Sequence, residues 1–305
     1  MRHILDLFEL SNDEVRRVLE ISQQLKTNFQ RGIRQPLLPG RVMALLFEKP
    51  SLRTRVSFET AIMHLGGNTL FLGADVGWGK REPTADFARV LSSYVDVIVV
   101  RAFRHQDVVE LASYSTAPVV NGLTDLAHPC QALADLLTVR EVHGGWEGLT
   151  IAYVGDANNV AASLAVACAK LGVGFSIASP KGYQFDPAFL RRLSEAVPGF
   201  VVKETTDPRE AVRNANAVYT DVWTSMGQEA EQAERMKAFA DYQVDSKLFS
   251  LAKPDACFLH CLPAHRGEEV SADVIDGPRS AVLQQAENRM HAQKGLLAWL
   301  LDAKM

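Results

Sequence analysis

Apolar segments of strand length alternate with helical segments along this chain, and no other feature of the sequence constrains the fold as much. In the first half, strands are predicted at residues 42–47, 69–72, 95–100 and 118–121. A capping box at Ser11 opens a helix before them, and Pro83 and Pro129 occupy positions typical of a first helical residue. Such alternation predicts a parallel sheet with helices on both faces.

The alternation restarts after the sequence His143-Gly144-Gly145, which ends a helix. Further strands are predicted at residues 149–154, 173–178, 217–220 and 257–262, and a final helix at 279–301. We therefore predict an α/β fold with two doubly wound parallel-sheet domains. The expected domains are residues 1–143 and 144–278, with residues 279–305 packing back on the first domain.

Composition excludes several classes of protein. The 305 residues are 47% hydrophobic and 22% charged, as in a globular protein. A net charge of −4 offers no broad surface for nucleic acid, and no run approaches the roughly 18 apolar residues of a membrane span. The N-terminus does not resemble a signal peptide, and the four cysteines form no C-x-x-C pair. A cytoplasmic location with reduced thiols is expected, and a zinc site is not.

The turn that follows the first predicted strand resembles an anion site. Pro50 favours an extended Lys49, and Ser51 then occupies the expected N-cap of a helix. A helix N-terminus favours anions, whereas Arg53 and Arg55 in its first turn oppose the helix dipole. These two cations indicate a bound phosphate. The alternative is a solvated helix start with an Arg55–Glu59 pair.

Polar residues stand at the carboxyl end of most predicted strands, where ligands of open parallel sheets bind. The clusters are Ser51 to Arg55, Arg101, Asn121 to His128, Asp156 to Asn159, Asp221 to Gly227 and His260 to Arg266. Their distribution over two domains predicts an active-site cleft between the domains.

Individual residues of these clusters allow more than one interpretation. His128 could cap a helix or polarise a carbonyl oxygen together with Arg101, which could equally be a surface cation. Cys261 has no adjacent helix start or obvious base that would produce a thiolate, so covalent catalysis by its thiol is disfavoured. The sequence Gly155 to Asn159 lacks G-x-G-x-x-G, which disfavours a dinucleotide site.

Four motifs together resemble the aspartate/ornithine carbamoyltransferase family over nearly the whole chain. Ser51-Leu52-Arg53-Thr54-Arg55 is similar to its S-x-R-T-R motif, and His128-Pro129-Cys130-Gln131 to its H-P-x-Q motif. The sequence from Asp221 to Gly227 resembles D-x-x-x-S-M-G, and His260-Cys261-Leu262-Pro263 matches the H-C-L-P of the ornithine branch. The resemblance implies transfer of a carbamoyl group from carbamoyl phosphate to L-ornithine, which gives L-citrulline and phosphate.

The resemblance also implies a division of roles, with domain 1–143 binding carbamoyl phosphate and domain 144–278 binding ornithine. The residues expected to bind carbamoyl phosphate are Ser51, Leu52, Arg53, Thr54, Arg101, His128, Gln131, Cys261, Leu262 and Arg289. Those expected to bind ornithine are Asn159, Asp221, Ser225 and Met226. Arg101, His128, Asp221 and Cys261 are the expected catalytic residues, and no cofactor or metal is required.

One segment departs from the family pattern. The ornithine branch usually carries Gln-x-Gly after the second strand, which reaches the neighbouring subunit of a homotrimer with shared active sites. Here Asp75 stands in the corresponding loop, and an ionised acid cannot donate a hydrogen bond. We expect Lys80 or Arg81 to supply the cross-subunit donor instead.

Two other functions remain open at this point. The chain could transfer the carbamoyl group to another amine, such as an N-acylornithine or putrescine, although Asp221 and Ser225 suit a free α-amino group. It could also be a non-catalytic protein that binds phosphate or an amino acid, although Arg101, His128 and Cys261 favour catalysis.

Overall fold

The computed structural model describes residues 2–224 and 229–304, except for the side chain of Glu229. The chain forms two compact units. The first comprises Met1–Leu137 and Asn288–Met305, and the second comprises Thr138–Glu287.

The first unit is built on a four-stranded parallel sheet with the strand order β2-β1-β3-β4. Its elements, in chain order, are α1 Asn12–Gln30, β1 Val42–Phe47, α2 Leu52–His64, β2 Asn68–Leu72, α3 Thr84–Tyr94, β3 Val97–Arg101, α4 His105–Tyr114, β4 Val119–Leu123 and α5 Pro129–His143, the last of which ends in the second unit.

The second unit is built on a five-stranded parallel sheet with the strand order β7-β6-β5-β8-β9. Its elements are β5 Thr150–Val154, α6 Asn159–Leu171, β6 Gly174–Ala178, α7 Pro187–Ala196, β7 Lys203–Thr205, α8 Pro208–Val212, β8 Ala217–Thr220, α9 Gln232–Ala238, α10 Ser246–Phe249, β9 Cys257–Leu259 and α11 Ala272–Ile275; α12 Val282–Leu300 then returns to the first unit.

Both sheets reverse their direction of winding, and each reversal fixes a binding position. In the first sheet β1 pairs with β2 on one side and β3 on the other, and in the second sheet β5 pairs with β6 and β8. Ligands of open parallel sheets bind at the carboxyl ends of the two strands that flank such a switch point. The segments after β1, β3, β5 and β8 are therefore the positions where a ligand is expected.

Local sequence explains where the main helices begin. The Ser11 side chain accepts a hydrogen bond from the Glu14 N–H, and the Glu14 carboxylate accepts one from the Ser11 N–H, so the predicted capping box is confirmed. Asn158 caps α6, which consists largely of small residues that are buried. Such a helix can lie close to its sheet without steric conflict.

The structure confirms the predicted α/β class with two parallel sheets and corrects several details. Strand β7 is not predicted by the sequence pattern, because its residues lie at the sheet edge with no apolar alternation. Pro83 is the N-cap of α3 rather than its first residue. The last strand ends at Leu259, and Leu262, which was placed in it, has a φ of +59°. None of the described helices is both long enough and apolar enough to cross a membrane.

Candidate active site

The turn between β1 and α2 caps the helix as predicted. Ser51 has extended backbone angles, and its Oγ accepts a hydrogen bond from the Thr54 N–H at 3.3 Å. The unpaired N–H groups of this first turn favour an anion. Arg55 donates a hydrogen bond to Glu59 at 3.1 Å, and its guanidinium carbon lies 3.7 Å from the centre of the Phe71 ring. The Arg55 charge therefore interacts with neighbours on the protein surface.

The Thr54 hydroxyl joins three segments of the first unit. Its Oγ1 lies 3.1 Å from Ser51 Oγ, 3.3 Å from Arg101 Nη1 and 2.8 Å from Arg289 Nη2. Arg101 ends β3 and is only 8% exposed, so its interpretation as a surface cation is wrong. Two buried guanidinium groups thus meet at the N-terminus of α2, a concentration of positive charge that suits a phosphate.

Two further cations belong to this half of the site. Lys49 is buried, its Nζ lies 4.8 Å from the centre of the Phe103 ring, and burial followed by the charge of Arg101 lowers its pKa. Arg53 is half-buried and makes no ion pair with a residue that the structure describes. Asp125 and Glu48 partly counteract the shift of the Lys49 pKa, but neither cation forms an ion pair with a described carboxylate, so an anionic ligand would stabilise both.

His128 immediately precedes α5 and is buried in the same unit. Burial, and then the charges of Arg289 and Arg101, hold its pKa well below the ordinary value. The imidazole is therefore neutral at pH 7 and has one N–H to donate. Cys130, two residues later, remains a thiol because burial raises its pKa to about 12.

The Gln131 side chain has a fixed orientation. Its Nε2 donates a hydrogen bond to Oδ1 of Asp135 at 2.8 Å, one turn further along α5, and both side chains are buried. The Gln131 Oε1 is buried without a hydrogen-bond partner among the described residues. A buried acceptor of this kind is costly unless a ligand satisfies it, so the amide is ready to accept an N–H group.

In the second unit, the Asp221 carboxylate follows β8 and accepts hydrogen bonds on both oxygens. Oδ1 accepts from the Cys261 thiol at 3.0 Å and from the Val222 N–H at 2.9 Å, and Oδ2 accepts from Asn158 Nδ2 at 3.0 Å. Asn158 itself is fixed, because its Oδ1 caps α6 through the N–H groups of Val160 and Ala161. The carboxylate is thus held rigidly at the switch point beside β5 and β8.

His260 holds the segment that contains Cys261 and Leu262. Its Nδ1 accepts a hydrogen bond from the Leu262 N–H at 2.9 Å, which requires the ring proton to be on Nε2. That proton is donated to Glu269 at 3.1 Å, and both side chains are fully buried. This arrangement stabilises Leu262 in a left-handed backbone conformation that a branched residue rarely adopts.

The buried Arg235 connects the ends of two ligand-facing segments. It forms an ion pair with Asp156, after β5, and donates a hydrogen bond to the Trp223 carbonyl, after β8. Burial raises the pKa of Asp156, and the charge of Arg235 opposes this effect. The predicted ornithine-binding residues Ser225 and Met226 lie outside the described residues.

Two groups of side chains within the described ranges have the composition of metal ligands: Asp221, His260 and Cys261; and His265, Glu268 and Glu269. Both ring nitrogens of His260, the Cys261 thiol and one oxygen of Glu269 already take part in hydrogen bonds. A metal ion would have to break these hydrogen bonds, so the two groups of side chains are better suited to hydrogen bonding than to metal coordination.

The loop with the unusual acid lies on the surface of the first unit. Asp75 belongs to a short 3₁₀ helix, Ala74–Val76, and is exposed, as are Lys80 and Arg81. Trp78 is buried and anchors the loop in the core of this unit. The charged side chains are therefore available to a molecule outside the chain.

Sequence profiles agree with this division into two sites. The profile described as "Aspartate/ornithine carbamoyltransferase, carbamoyl-P binding domain" matches residues 2–141, and the one described as "Aspartate/ornithine carbamoyltransferase, Asp/Orn binding domain" matches residues 147–300. The chain belongs to the aspartate/ornithine carbamoyltransferase family.

Individual members of the family are similar to the chain over almost its full length. Ornithine carbamoyltransferase of Bacillus subtilis is 52% identical, with 98% of this chain and 94% of the relative covered. That of Acidothermus cellulolyticus is 54% identical, with 99% and 97% covered. The structure of ornithine carbamoyltransferase from Pyrococcus furiosus has a TM-score of 0.95 at 48% identity and covers 100% of this chain and 98% of that chain.

Within this carbamoyltransferase fold, the structure brings together Ser51, Thr54, Arg101 and Arg289 in one unit and Asp221 and Cys261 in the other. Leu52 is exposed beside the cap, and Asn159 begins α6 next to Asn158. Sequence reasoning assigned no role to the supporting side chains Lys49, Asp135, Asn158, Arg235 and Glu269, although Asn158 belongs to the predicted cluster Asp156 to Asn159.

Two of these supporting residues, Asn158 and Asp135, could have been found from the sequence. Asn158 precedes the predicted helix start at Val160, as an N-cap does, and Asp135 lies four residues after Gln131 on a predicted helix. The sequence did not indicate Glu269 or Arg235, because their contacts with His260 and Asp156 follow from the tertiary fold rather than from helical or strand spacing.

Proposed function

We propose that this chain transfers the carbamoyl group of carbamoyl phosphate to the δ-amine of L-ornithine and so produces L-citrulline and phosphate. The observation that carries the proposal is the convergence of Arg101 and Arg289 on Thr54 at a helix N-terminus. This group of donors suits the phosphate of carbamoyl phosphate. Its chemistry agrees with the function of the full-length relatives, which are ornithine carbamoyltransferases.

In this proposal the first unit holds carbamoyl phosphate. Ser51, Arg53, Thr54 and the backbone N–H of Leu52 bind the phosphate, together with Arg289. Charge accumulates on the phosphate oxygens as the C–O bond breaks, and fixed cations stabilise that charge without reorganisation.

The carbamoyl group is held by a second set of contacts. Thr54, Arg101 and the neutral His128 donate to its carbonyl oxygen and make the carbon more electrophilic. Gln131 Oε1 accepts one N–H of the carbamoyl amide. The orientation that Asp135 imposes on Gln131 supports this role, because it leaves the amide oxygen as the available group.

The second unit binds ornithine in this scheme. The fixed Asp221 carboxylate, together with Ser225, receives the α-amino group, and Asn159 and the Met226 backbone bind the α-carboxylate. Cys261 lies beside Asp221 and orients the δ-amine, while the Leu262 carbonyl accepts from the carbamoyl amide.

The proposed chemistry is direct nucleophilic substitution at the carbamoyl carbon. The δ-nitrogen forms the new C–N bond, phosphate departs with the electron pair of the C–O bond, and the nitrogen releases a proton. An alkyl amine has a pKa of about 10, so it must first lose a proton to become a nucleophile. Positioning of two bound substrates supplies much of the rate, and the proposal needs no cofactor or metal.

We further propose a homotrimer with shared active sites in the cytoplasm. Leu52 and Val56, one turn apart at the start of α2, are 77% and 49% exposed, an apolar surface beside the Ser51 cap that suits a second subunit. Lys80 or Arg81 of the neighbouring subunit would then complete the phosphate site. The four cysteines are free thiols, which suits a reducing compartment.

A steady-state assay of citrulline formation tests the proposal. Purified protein should convert carbamoyl phosphate and L-ornithine and should have a far lower kcat/KM with putrescine or an N-acylornithine. An N-acylornithine has no free α-amino group for Asp221, and putrescine has no α-carboxylate for Asn159 and the Met226 backbone. Faster turnover of either alternative amine would assign the chain to a different carbamoyltransferase. Binding of carbamoyl phosphate without turnover of any amine would refute catalysis.

A further inference from the structure

A second group of cationic side chains surrounds one aromatic ring of the first unit, away from the proposed active site. The guanidinium carbon of Arg34 lies 3.8 Å from the centre of the Phe29 ring, and the Lys294 ammonium lies 4.8 Å from it. The His64 ring stacks on Phe29 with a centroid separation of 5.1 Å. Three basic groups thus meet at the end of α1.

Lys294 is the most unusual member of this group. Its side chain is only 3% exposed, and it makes no hydrogen bond or ion pair with any residue in the described ranges. The neighbouring Gly295 explains the burial, since a Cβ there would lie 2.0 Å from Ser22 Oγ, so α12 packs closely on α1. A buried ammonium without an anionic partner is unfavourable, and an attraction to one ring offsets only part of that cost.

A cavity open to solvent lies beside these cations. It is lined by Leu25, Asn28, Ile33, Arg34, Gln35, His64, Leu65 and Lys294. No carboxylate belongs to this lining, and the Asn28 amide donates to the Gln35 amide at 2.7 Å. The Nδ1 of His64 is buried and has no hydrogen-bond partner among the described residues. The cavity therefore offers donors and positive charge without a counterion.

The electrostatics of the cluster agree with this geometry. Burial, and then the charge of Arg34, lower the pKa of Lys294 to about 8. Burial and the charges of Lys294 and Arg34 lower the pKa of His64. No acid counteracts either shift, whereas a bound anion would raise both pKa values and remove the mutual repulsion.

We propose that this cavity is a second anion site, which binds a small tetrahedral oxyanion such as inorganic phosphate between Lys294, Arg34 and His64. The ammonium supplies a point charge, and the guanidinium presents N–H groups in a planar fork that matches two oxygens of an oxyanion. Both cations are held by the Phe29 ring, so the site is built before the anion arrives.

The cavity is separate from the proposed active site. His64 and the Ser51 cap lie at opposite ends of α2, whose 13 residues span roughly 20 Å. Lys294 follows Arg289 by five residues on α12, which turns it by about 140° to a different face of the helix. An anion beside Lys294 therefore shares two helices with the active site but none of its ligands.

Thermal unfolding of the full chain in phosphate tests the proposal. Both arms carry Arg101→Gln, which weakens phosphate binding at the proposed active site, and ionic strength is kept constant with sodium chloride. We expect the Tm to rise in a saturable way with phosphate, as for any ligand that binds only the folded state. Adding Lys294→Met should abolish the rise, whereas adding Lys181→Met, at an exposed lysine, should leave it intact.

A second variant is needed because Lys294→Met, at a buried position, could impair folding. Arg34 is exposed, so Arg34→Gln should fold normally and shift the phosphate midpoint to about tenfold higher concentration. An equal phosphate response with and without Lys294 would overturn the proposal. So would equal stabilisation by chloride, or a Tm that does not change with phosphate concentration.

Discussion

The Cys261 thiol donates a hydrogen bond to the Asp221 carboxylate at 3.0 Å, and this bond connects the segment after β9 to the segment after β8. The opposite carboxylate oxygen accepts from Asn158. Both carboxylate oxygens of Asp221 accept hydrogen bonds, so a ligand group that binds this carboxylate must donate an N–H or O–H. The amine and ammonium groups of ornithine meet this condition.

Asp221→Asn should impair the use of ornithine far more than the use of carbamoyl phosphate. The amide has one NH₂ group, which must face either the thiol or the amide of Asn158, both of which are donors. Loss of a buried charge partner costs about 2–5 kcal/mol, so kcat/KM for ornithine should fall roughly thirtyfold or more. Initial rates with each substrate varied in turn measure the effect. Cys261→Ser is the matched control, because it keeps a donor to the carboxylate; a comparable loss in that variant would indicate a separate role for sulfur.

Thr54→Val should raise the KM for carbamoyl phosphate. Valine preserves the shape of the side chain but leaves Arg101 and Arg289 without the oxygen on which they converge. An unsatisfied buried donor costs about 1–3 kcal/mol, so we expect a change between about fivefold and 150-fold. Thr54→Ser retains the oxygen and should behave nearly as wild type. If valine and serine give the same kinetics, Thr54 does not organise the two arginines.

Asp135→Asn should weaken carbamoyl phosphate binding without direct contact to it. An asparagine at this position can donate to the Gln131 amide as well as accept from it, so Gln131 can reverse and withdraw its free oxygen. Loss of one hydrogen bond of about 0.5–1.5 kcal/mol corresponds to a twofold to tenfold higher KM. A double-mutant cycle with Gln131→Ala checks the mechanism, because Asp135→Asn should add nothing once Gln131 is removed. Additive losses would contradict a positioning role.

The sequence was sufficient to predict features that depend on residues close together in the chain. The alternation of apolar and helical segments predicted both parallel sheets, and Ser11 and Ser51 predicted helix caps that the structure contains. Features that depend on tertiary contacts were not predictable. Nothing near Glu269 in the sequence indicates that it meets His260, and β7 exists because it pairs with β6 rather than because its residues favour a strand.

Glu269→Leu should lower activity by releasing the Cys261–Leu262 segment. Without the carboxylate, the His260 proton is no longer held on Nε2, and an Nδ1–H tautomer would repel the Leu262 N–H. We expect kcat to fall together with a lower Tm, while Glu269→Gln, whose amide oxygen still accepts from Nε2, should recover most of kcat. Kinetics and thermal unfolding of both variants separate the two effects. Equal kcat values in leucine and glutamine variants of equal stability would argue against positioning by His260.

Stability should decrease as the pH falls below about 6.5, with buried histidines as a principal cause. Burial first, and then the charges of Lys294 and Lys26, lower the pKa of His291 to about 3, against 6.5 for an exposed imidazole. Between these values the unfolded chain binds one more proton than the folded chain, so unfolding becomes easier as pH falls. Above pH 6.5 the imidazole is neutral in both states and contributes no pH dependence.

His291→Gln removes that titration and should flatten the acid side of the stability profile. One histidine contributes at most about 1.4 kcal/mol per pH unit, and His128, whose pKa is also well below its ordinary value, adds in the same direction. Urea unfolding at pH 7.5, 6.0 and 5.0 measures the slope for wild type and variant. The glutamine variant should lose less stability between pH 6.0 and 5.0 than wild type, whatever its stability at pH 7.5. Parallel profiles for the two proteins would show that His291 is protonated in the folded chain.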